Sequence, residues 1–348
     1  LTLIITLVIG YFAYQRFSYW REMPNMTLNE IKLRKKGYDN TEINLLLNNL
    51  TDQELTLVLA SNYKYLPEVI SNTNYQSSNL KKYLNYANHN LNLTPQSIID
   101  LVNYGFDAVT YEPIYEAIIN EPYFIKQNAT RYQAYYLLNK ELIAAKIVSN
   151  VNTNLDFPFY SHNLVSDTSK GILSIANKYY TLPADFNGFD LVNITGTKYQ
   201  MTKEAYIAYQ EMAQAASLEG LAFAPRSAYR SYSSQEKIYN GYVLQDGVAL
   251  ADTYSARAGH SEHQLGLTVD LKSTTMDTIY FQKTNEYTWL MDNAYQYGFI
   301  ERYPLGKEYM TGYQYEPWHW RYCGIDCATY IHNNKVTFDE YYAFFVNK

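Results

Sequence analysis

Histidine and cysteine are both scarce in this chain of 348 residues, which has six of the first and two of the second. Cysteine-based zinc modules need two pairs of ligands, and the single pair here, Cys323 and Cys327 in "YCGIDCA", has the wrong spacing even for one. The two are read as small buried apolar residues, with a local disulfide open to them in an oxidising compartment. Charge is also low, at 18% of residues with a formal net charge of -6 and a pI near 5.6. No global basic field exists to hold a polyanion, so nucleic acid is excluded as a partner.

Long apolar runs are missing except at the start, where "LTLIITLVIGYFAY" is 14 residues without charge. A spanning helix needs about 20 apolar residues, and because the chain opens on Leu the run is bounded only from below. No A-x-A-like cleavage site follows it. Tyr14, Arg16, Tyr19, Trp20 and Arg21 instead form an aromatic and basic edge of the kind found where a helix leaves a bilayer. Residues 1–20 are therefore expected to be an uncleaved transmembrane or signal anchor, with the rest of the chain outside the cytoplasm. Lys32, Arg34, Lys35 and Lys36 argue the other way, since positive charge favours the cytoplasmic side.

What is present fits a folded protein of two domains: 47% of residues are apolar, and the length exceeds one typical core. Tyrosine is abundant, at 39 residues, which suits carbohydrate or peptide recognition and equally a bias of the source genome. Residues 21–148 read as all-α. "TEINLLLNNL" and "TDQELTLVLASNYKYL" repeat their apolar positions at helical spacing, Thr51 with Glu54 has capping-box register, and Thr94-Pro95 opens another helix. No period there is strong enough to mark a repeat array, and His89 reads as a solvated loop residue. Around 149 short β-prone runs between turn formers take over. "KEAYIAYQEMAQAASLEG" is then a helix after Thr202, "LAFAPRSAYR" a strand, and "SSQEKIYNGYV" a helix capped by Ser233 with Glu236. Without regular βαβ alternation, 149–348 reads as α+β.

The scarce histidines cluster. "GHSEHQLGLTVDL" (259–271) holds two of them with two carboxylates and two glycines. His263 and Asp270 are an odd number of residues apart, so an unbroken strand would turn them to opposite faces. They can meet only if the chain bends, and Gly266 is where a bend is tolerated. In "YEPWHWRYCG", Pro317 holds Glu316 extended, and His319 alternates with Trp318 and Trp320. Any one of these histidines alone suits a structural, hydrogen-bonded role. Together, two imidazoles and a carboxylate make a three-ligand zinc set with a place left for water, and a further glutamate is what a zinc hydrolase needs as general base.

"SEHQLGLTVD" (261–270), "EPWH" (316–319) and "SAYRSYSSQ" (227–235) together resemble the SxHxxGxxxD, ExWH and SxYRSxxxQ motifs of the VanY-type, LAS-family metallopeptidases, which trim peptidoglycan stem peptides. Thr268 stands where that family often has alanine. The resemblance covers 149–348 and implies a zinc peptidase domain with a small antiparallel sheet flanked by helices. It further implies one Zn2+ held by His263, Asp270 and His319, with Glu316 as catalytic base. Arg230 would read the substrate's terminal carboxylate through its planar fork, and Ser227, Gln235 and Ser261 would line the substrate site. His260 falls outside the ligand pattern and is expected at the site's edge. The activity so implied is D,D-carboxypeptidase action on stem peptides ending in D-Ala-D-Ala. An L,D-carboxypeptidase acting on tetrapeptide stems and a zinc-stabilised wall-binding module without catalysis are the alternatives, and Glu316 weighs against the second.

Overall fold

Three helices near the chain's start each begin at a residue whose side chain caps the N–H of a glutamate three positions on, while that glutamate reaches back. Thr27 with Glu30 opens Leu28–Lys35, Asp39 with Glu42 opens Asn40–Asn49, and Thr51 with Glu54 opens Asp52–Ala60. The computed structural model describes residues 26–61, 63–89, 92–274 and 278–347. The anchor expected over residues 1–20 lies outside them, and among the described residues no helix is long and apolar enough to cross a membrane.

The chain divides into two compact units, Leu1–Ala145 and Lys146–Lys348. The helix Ala144–Asn152 runs across this division, near the change of character read in the sequence at 148/149. In the described part of the first unit all regular elements are helical. Leu33, Leu46, Leu66, Val69, Ile98, Ile99 and Leu101 are fully buried there, and each such side chain stabilises the unit by about 1.5–3 kcal/mol over leaving it in water. Thr94 caps Pro95–Tyr104, and Gly105, in the left-handed region at φ 91°, ends it.

Two findings differ from the sequence reading. His89 is the last residue of the helix Leu80–His89, its Nδ1 2.8 Å from the Asn85 carbonyl oxygen, and so lies at a helix end rather than in a loop. The unit also repeats one local device. A 3-10 turn, Ser77–Asn79 or Lys126–Asn128, leads into a helix, Leu80–His89 or Ala129–Leu138. In each, a buried tyrosine hydroxyl accepts from a backbone N–H seven residues earlier: Tyr83 from Gln76 at 3.2 Å, Tyr132 from Ile125 at 3.1 Å.

The second unit mixes helices with three sheets. β1 (Leu164–Val165) pairs in parallel with β2 (Tyr180–Thr181), and β3 (Leu191–Asn193) pairs antiparallel with β4 (Gln200–Thr202). The third sheet is antiparallel throughout, in the order β5-β6-β8-β7, with β5 at Phe223–Ser227, β6 at Thr268–Ser273, β7 at Phe299–Glu301 and β8 at His319–Tyr322. Alternation sorts the two inner strands. Val269 faces Trp320 across the ladder, and both join Leu271, Met212 of the helix Lys203–Leu218 and Leu290 of the helix Asn285–Asn293 in the core. Thr268, Asp270, His319 and Arg321 consequently lie on the opposite face, Asp270 directly across from His319.

The helix Tyr232–Asp246 starts earlier than its sequence suggested. Ser231, in extended conformation, accepts from the Ser234 N–H and is the cap in place of Ser233. Cys323 and Cys327 are free and buried.

Candidate metal centre

The register of the sheet sets up the site before any side chain is considered. Ser227 pairs with Asp270 on one side and His319 pairs with Asp270 on the other, so three neighbouring strands present these residues in one row. A register shift between Pro225 and Ser227 is what brings Ser227 into that row. His263 arrives from outside the sheet, on the 3-10 turn Glu262–Leu265, which Gly266 ends in the left-handed region at φ 75°. The left-handed conformation favours glycine there, and a Cβ on Gly266 would lie 2.5 Å from Leu191 Cδ2, so that side chain would have to shift. This is the bend that lets His263 and Asp270 meet.

The two imidazoles present different nitrogens. His263 Nδ1 lies 2.6 Å from the Ala228 carbonyl oxygen, leaving Nε2 toward Asp270 Oδ1 at 3.4 Å. His319 turns Nδ1 inward, 3.3 Å from Asp270 Oδ1 and 3.4 Å from Glu316 Oε2. The possible ligand atoms of His263, Asp270 and His319 all lie within 4.8 Å of one another, and all three residues are buried. Asp270 Oδ1 has no hydrogen-bond partner. A buried, unpartnered carboxylate oxygen between two ring nitrogens fits a divalent cation, and this nitrogen and oxygen donor set suits zinc.

Electrostatics point the same way. Burial disfavours a charge on Asp270, yet the two imidazoles outweigh it and hold its pKa far below the carboxylate range. Burial lowers the pKa of His263. Burial also opposes charge on His319, but the neighbouring carboxylates of Asp270, Glu262 and Glu316 prevail and lift its pKa to about 10. The cluster thus attracts positive charge, which a proton or a metal ion can supply. Burial pushes Glu316 above its ordinary range, a shift that suits a group required to take up and return a proton.

A cleft of about 400 Å³ opens over this row, and Ser227, Arg230, Gln235, Ser261, His263, Asp270, Glu316 and His319 all line it. Arg230 is held in position: Nη1 donates to Gln235 Oε1 at 2.6 Å, Nη2 to Ser227 Oγ at 3.1 Å, and Gln235 in turn donates to the Ala256 carbonyl at 2.6 Å. His260 is not among the lining residues. It is buried with Nδ1 2.7 Å from the Asn177 carbonyl oxygen, a structural place rather than one at the site's edge. Thr268, the departure from the family pattern, buries its hydroxyl without a partner.

Aromatic walls were not read from the sequence. Tyr242, Tyr254, Tyr303, Tyr313, Tyr315 and Trp318 line the cleft, and the Tyr303 ring centroid is 4.7 Å from that of His319. With tyrosine abundant throughout the chain, nothing set the five tyrosines apart beforehand, whereas Trp318 lies within the EPWH motif. Glu262 was also left without a role, although its place beside His263 was a signal.

Residues 198–325 match the family model described as VanY: D-alanyl-D-alanine carboxypeptidase. The protein YodJ of Bacillus subtilis (strain 168) is 40% identical over 185 residues, spanning 50% of this chain and 67% of that protein. A D-alanyl-D-alanine carboxypeptidase of Enterococcus faecalis (strain ATCC 700802 / V583) is 34% identical over 185 residues, with the same shares of 50% and 67%. Among solved structures, a D,D-pentapeptidase VanY from the VanB-type resistance cassette, in complex with Zn(II), is 33% identical, covers 49% of this chain and 97% of its own, and has a TM-score of 0.44. The motifs seen in the sequence and the extent of these matches agree: the chain belongs to the VanY D-alanyl-D-alanine carboxypeptidase family.

Proposed function

We propose that the chain is a zinc carboxypeptidase that removes the terminal D-alanine from peptidoglycan stem peptides ending in D-Ala-D-Ala. The observation that carries this reading is Asp270 Oδ1, buried without a partner between His263 Nε2 and His319 Nδ1, with the Glu316 carboxylate 3.4 Å from the latter. His263, Asp270 and His319 would hold one zinc ion. Zinc at such a site supplies a Lewis acid that polarises the scissile carbonyl and makes water acidic enough to lose a proton near neutral pH.

Glu316 takes that proton and delivers it to the leaving amine. Its pKa, raised by burial, suits a group that both accepts and donates a proton. Arg230 receives the terminal carboxylate of the substrate, and its bonds to Gln235 and Ser227 fix the guanidinium before the substrate arrives. Tyr303 and Tyr313, both buried, close the inner wall against water. The substrate class lies outside the cytoplasm, so the reading includes export and retention at the membrane by residues 1–20, which lie outside the described residues.

The test is incubation of the purified protein with synthetic pentapeptide and tetrapeptide stems, followed by mass spectrometry. Release of one D-alanine from the pentapeptide alone supports the reading. Cleavage of the tetrapeptide alone would make the enzyme an L,D-carboxypeptidase, and cleavage of neither would favour a wall-binding module.

A further inference from the structure

Under the floor of the cleft lies a set of buried charges that takes no part in the steps above. Glu262 is fully buried. Its Oε1 accepts from Arg302 Nε at 2.9 Å and from Arg321 Nη1 at 2.8 Å. Arg302 also grips Asp339 with two bonds of 2.7 and 3.1 Å, and Arg321 reaches the carbonyls of Ile172, Ser174 and Tyr322 at 2.8, 2.7 and 2.7 Å. The carboxylate is therefore clamped by one oxygen only. Glu262 Oε2 has no hydrogen bond, and neither has the buried Nε2 of His319, 3.9 Å away. That approach is the only ion-pair contact either atom makes among the described residues.

Two orphaned polar atoms, one an acceptor and one a ring nitrogen able to donate, are thus brought face to face behind a ligand whose other nitrogen points at Asp270. We propose that Glu262 is the positioning residue of the metal centre, its Oε2 being the acceptor toward which His319 directs its Nε2–H, so that the ring is fixed with Nδ1 toward Asp270. A carboxylate behind an imidazole also makes the opposite nitrogen a stronger ligand. Arg302 and Arg321 hold the carboxylate at this post. The inference rests on reading His263, Asp270 and His319 as a zinc site. The competing view, that Glu262 serves only to offset buried arginine charge, applies in the same way to Asp339, which pairs with Arg302 and, among the described residues, makes no hydrogen bond or ion pair with His319.

That equality supplies the control. Zinc affinity would be measured by competition with a chromophoric chelator for the wild-type chain, Glu262→Gln and Asp339→Asn, alongside thermal unfolding of each. Both substitutions should lower the melting temperature. Glu262→Gln should weaken zinc by about 10–100-fold, the usual effect of losing such an outer partner, while Asp339→Asn keeps affinity near wild type. Nitrogen-15 NMR of histidine-labelled, zinc-loaded wild type gives a readout that needs no variant to fold: His319 should carry a slowly exchanging proton on Nε2. Zinc binding unchanged by Glu262→Gln, equal weakening by Asp339→Asn, or an unprotonated His319 Nε2 would overturn the inference alone. A wild-type chain that takes up no zinc would overturn the zinc reading and this inference with it.

Discussion

The two units differ most in what they bury. Among the described residues, the buried polar side chains of the first unit are neutral, Ser61 and Gln133. The second unit buries Lys178, Glu262, Asp270, Glu286, Arg302, Arg321, Asp339 and Glu340. Desolvating charges costs several kcal/mol per ion, and replacing such networks with apolar residues is often neutral or stabilising, so stability does not explain the contrast. The proposed function accounts for part of it: Asp270 lies in the cleft, Glu262 Oε2 is 3.9 Å from His319 Nε2, and Arg302 and Arg321 bind Glu262. Among the described residues, the first unit combines capping, apolar packing and hydrogen bonds without a fully buried charged side chain, whereas the second buries several.

Four substitutions sharpen that comparison. The largest effect on turnover is expected from Glu316→Gln, which keeps the shape and removes the base. A fall in kcat of about 10²–10⁴-fold with zinc retained is predicted, checked by steady-state kinetics and metal analysis of one preparation. Loss of zinc together with activity would make Glu316 a ligand instead. Next is Arg230→Lys, which keeps the charge and loses the fork. Catalytic efficiency should drop by ~2–5 kcal/mol, and a substrate with an amidated C-terminus should erase most of the difference between the two proteins. Equal cleavage of amidated and free peptides would remove Arg230 from carboxylate recognition.

A smaller effect comes from Glu301, whose pKa burial raises to about 7 although the hydrogen bond from Tyr287 pulls it down. Because the folded chain then holds this proton more tightly than the unfolded one, whose value is near 4.5, Glu301 costs nothing below that pH and reduces stability as pH rises toward 7. The loss should be on the order of 2 kcal/mol after partial exposure is allowed for. Glu301→Gln should flatten that part of the profile in denaturant titrations, and an unchanged slope would refute the assignment. Smallest is Thr51→Ala in the first unit. Removing this cap should lower that unit's stability by about 1 kcal/mol and leave peptide cleavage untouched, as chemical denaturation and kinetics together would show.

How much could be read from the sequence follows the same divide. The ligand residues were legible because each motif is short and carries its chemistry within ten positions, and Gly266 marked the bend between His263 and Asp270. That Asp270 stands opposite His319 was not, since antiparallel register depends on pairing between distant strands. The Glu262 network escaped for a like reason: Arg302, Arg321 and Asp339 are scattered over the last part of the chain, and nothing in their neighbours announces burial. In the helical unit the caps were plain, but the repeated tyrosine device rests on one matched residue per copy, Tyr83 and Tyr132, too few to show as a period.

On the reading proposed above, His263, Asp270 and His319 together hold one metal ion. Zinc content per chain after dialysis against metal-free buffer, for wild type and for the His263→Ala/His319→Ala double variant, tests it most directly. Removing two of three protein ligands should abolish binding, so one zinc per wild-type chain and none in the double variant is predicted. Stoichiometric zinc in the double variant, or none in the wild type, would contradict the account.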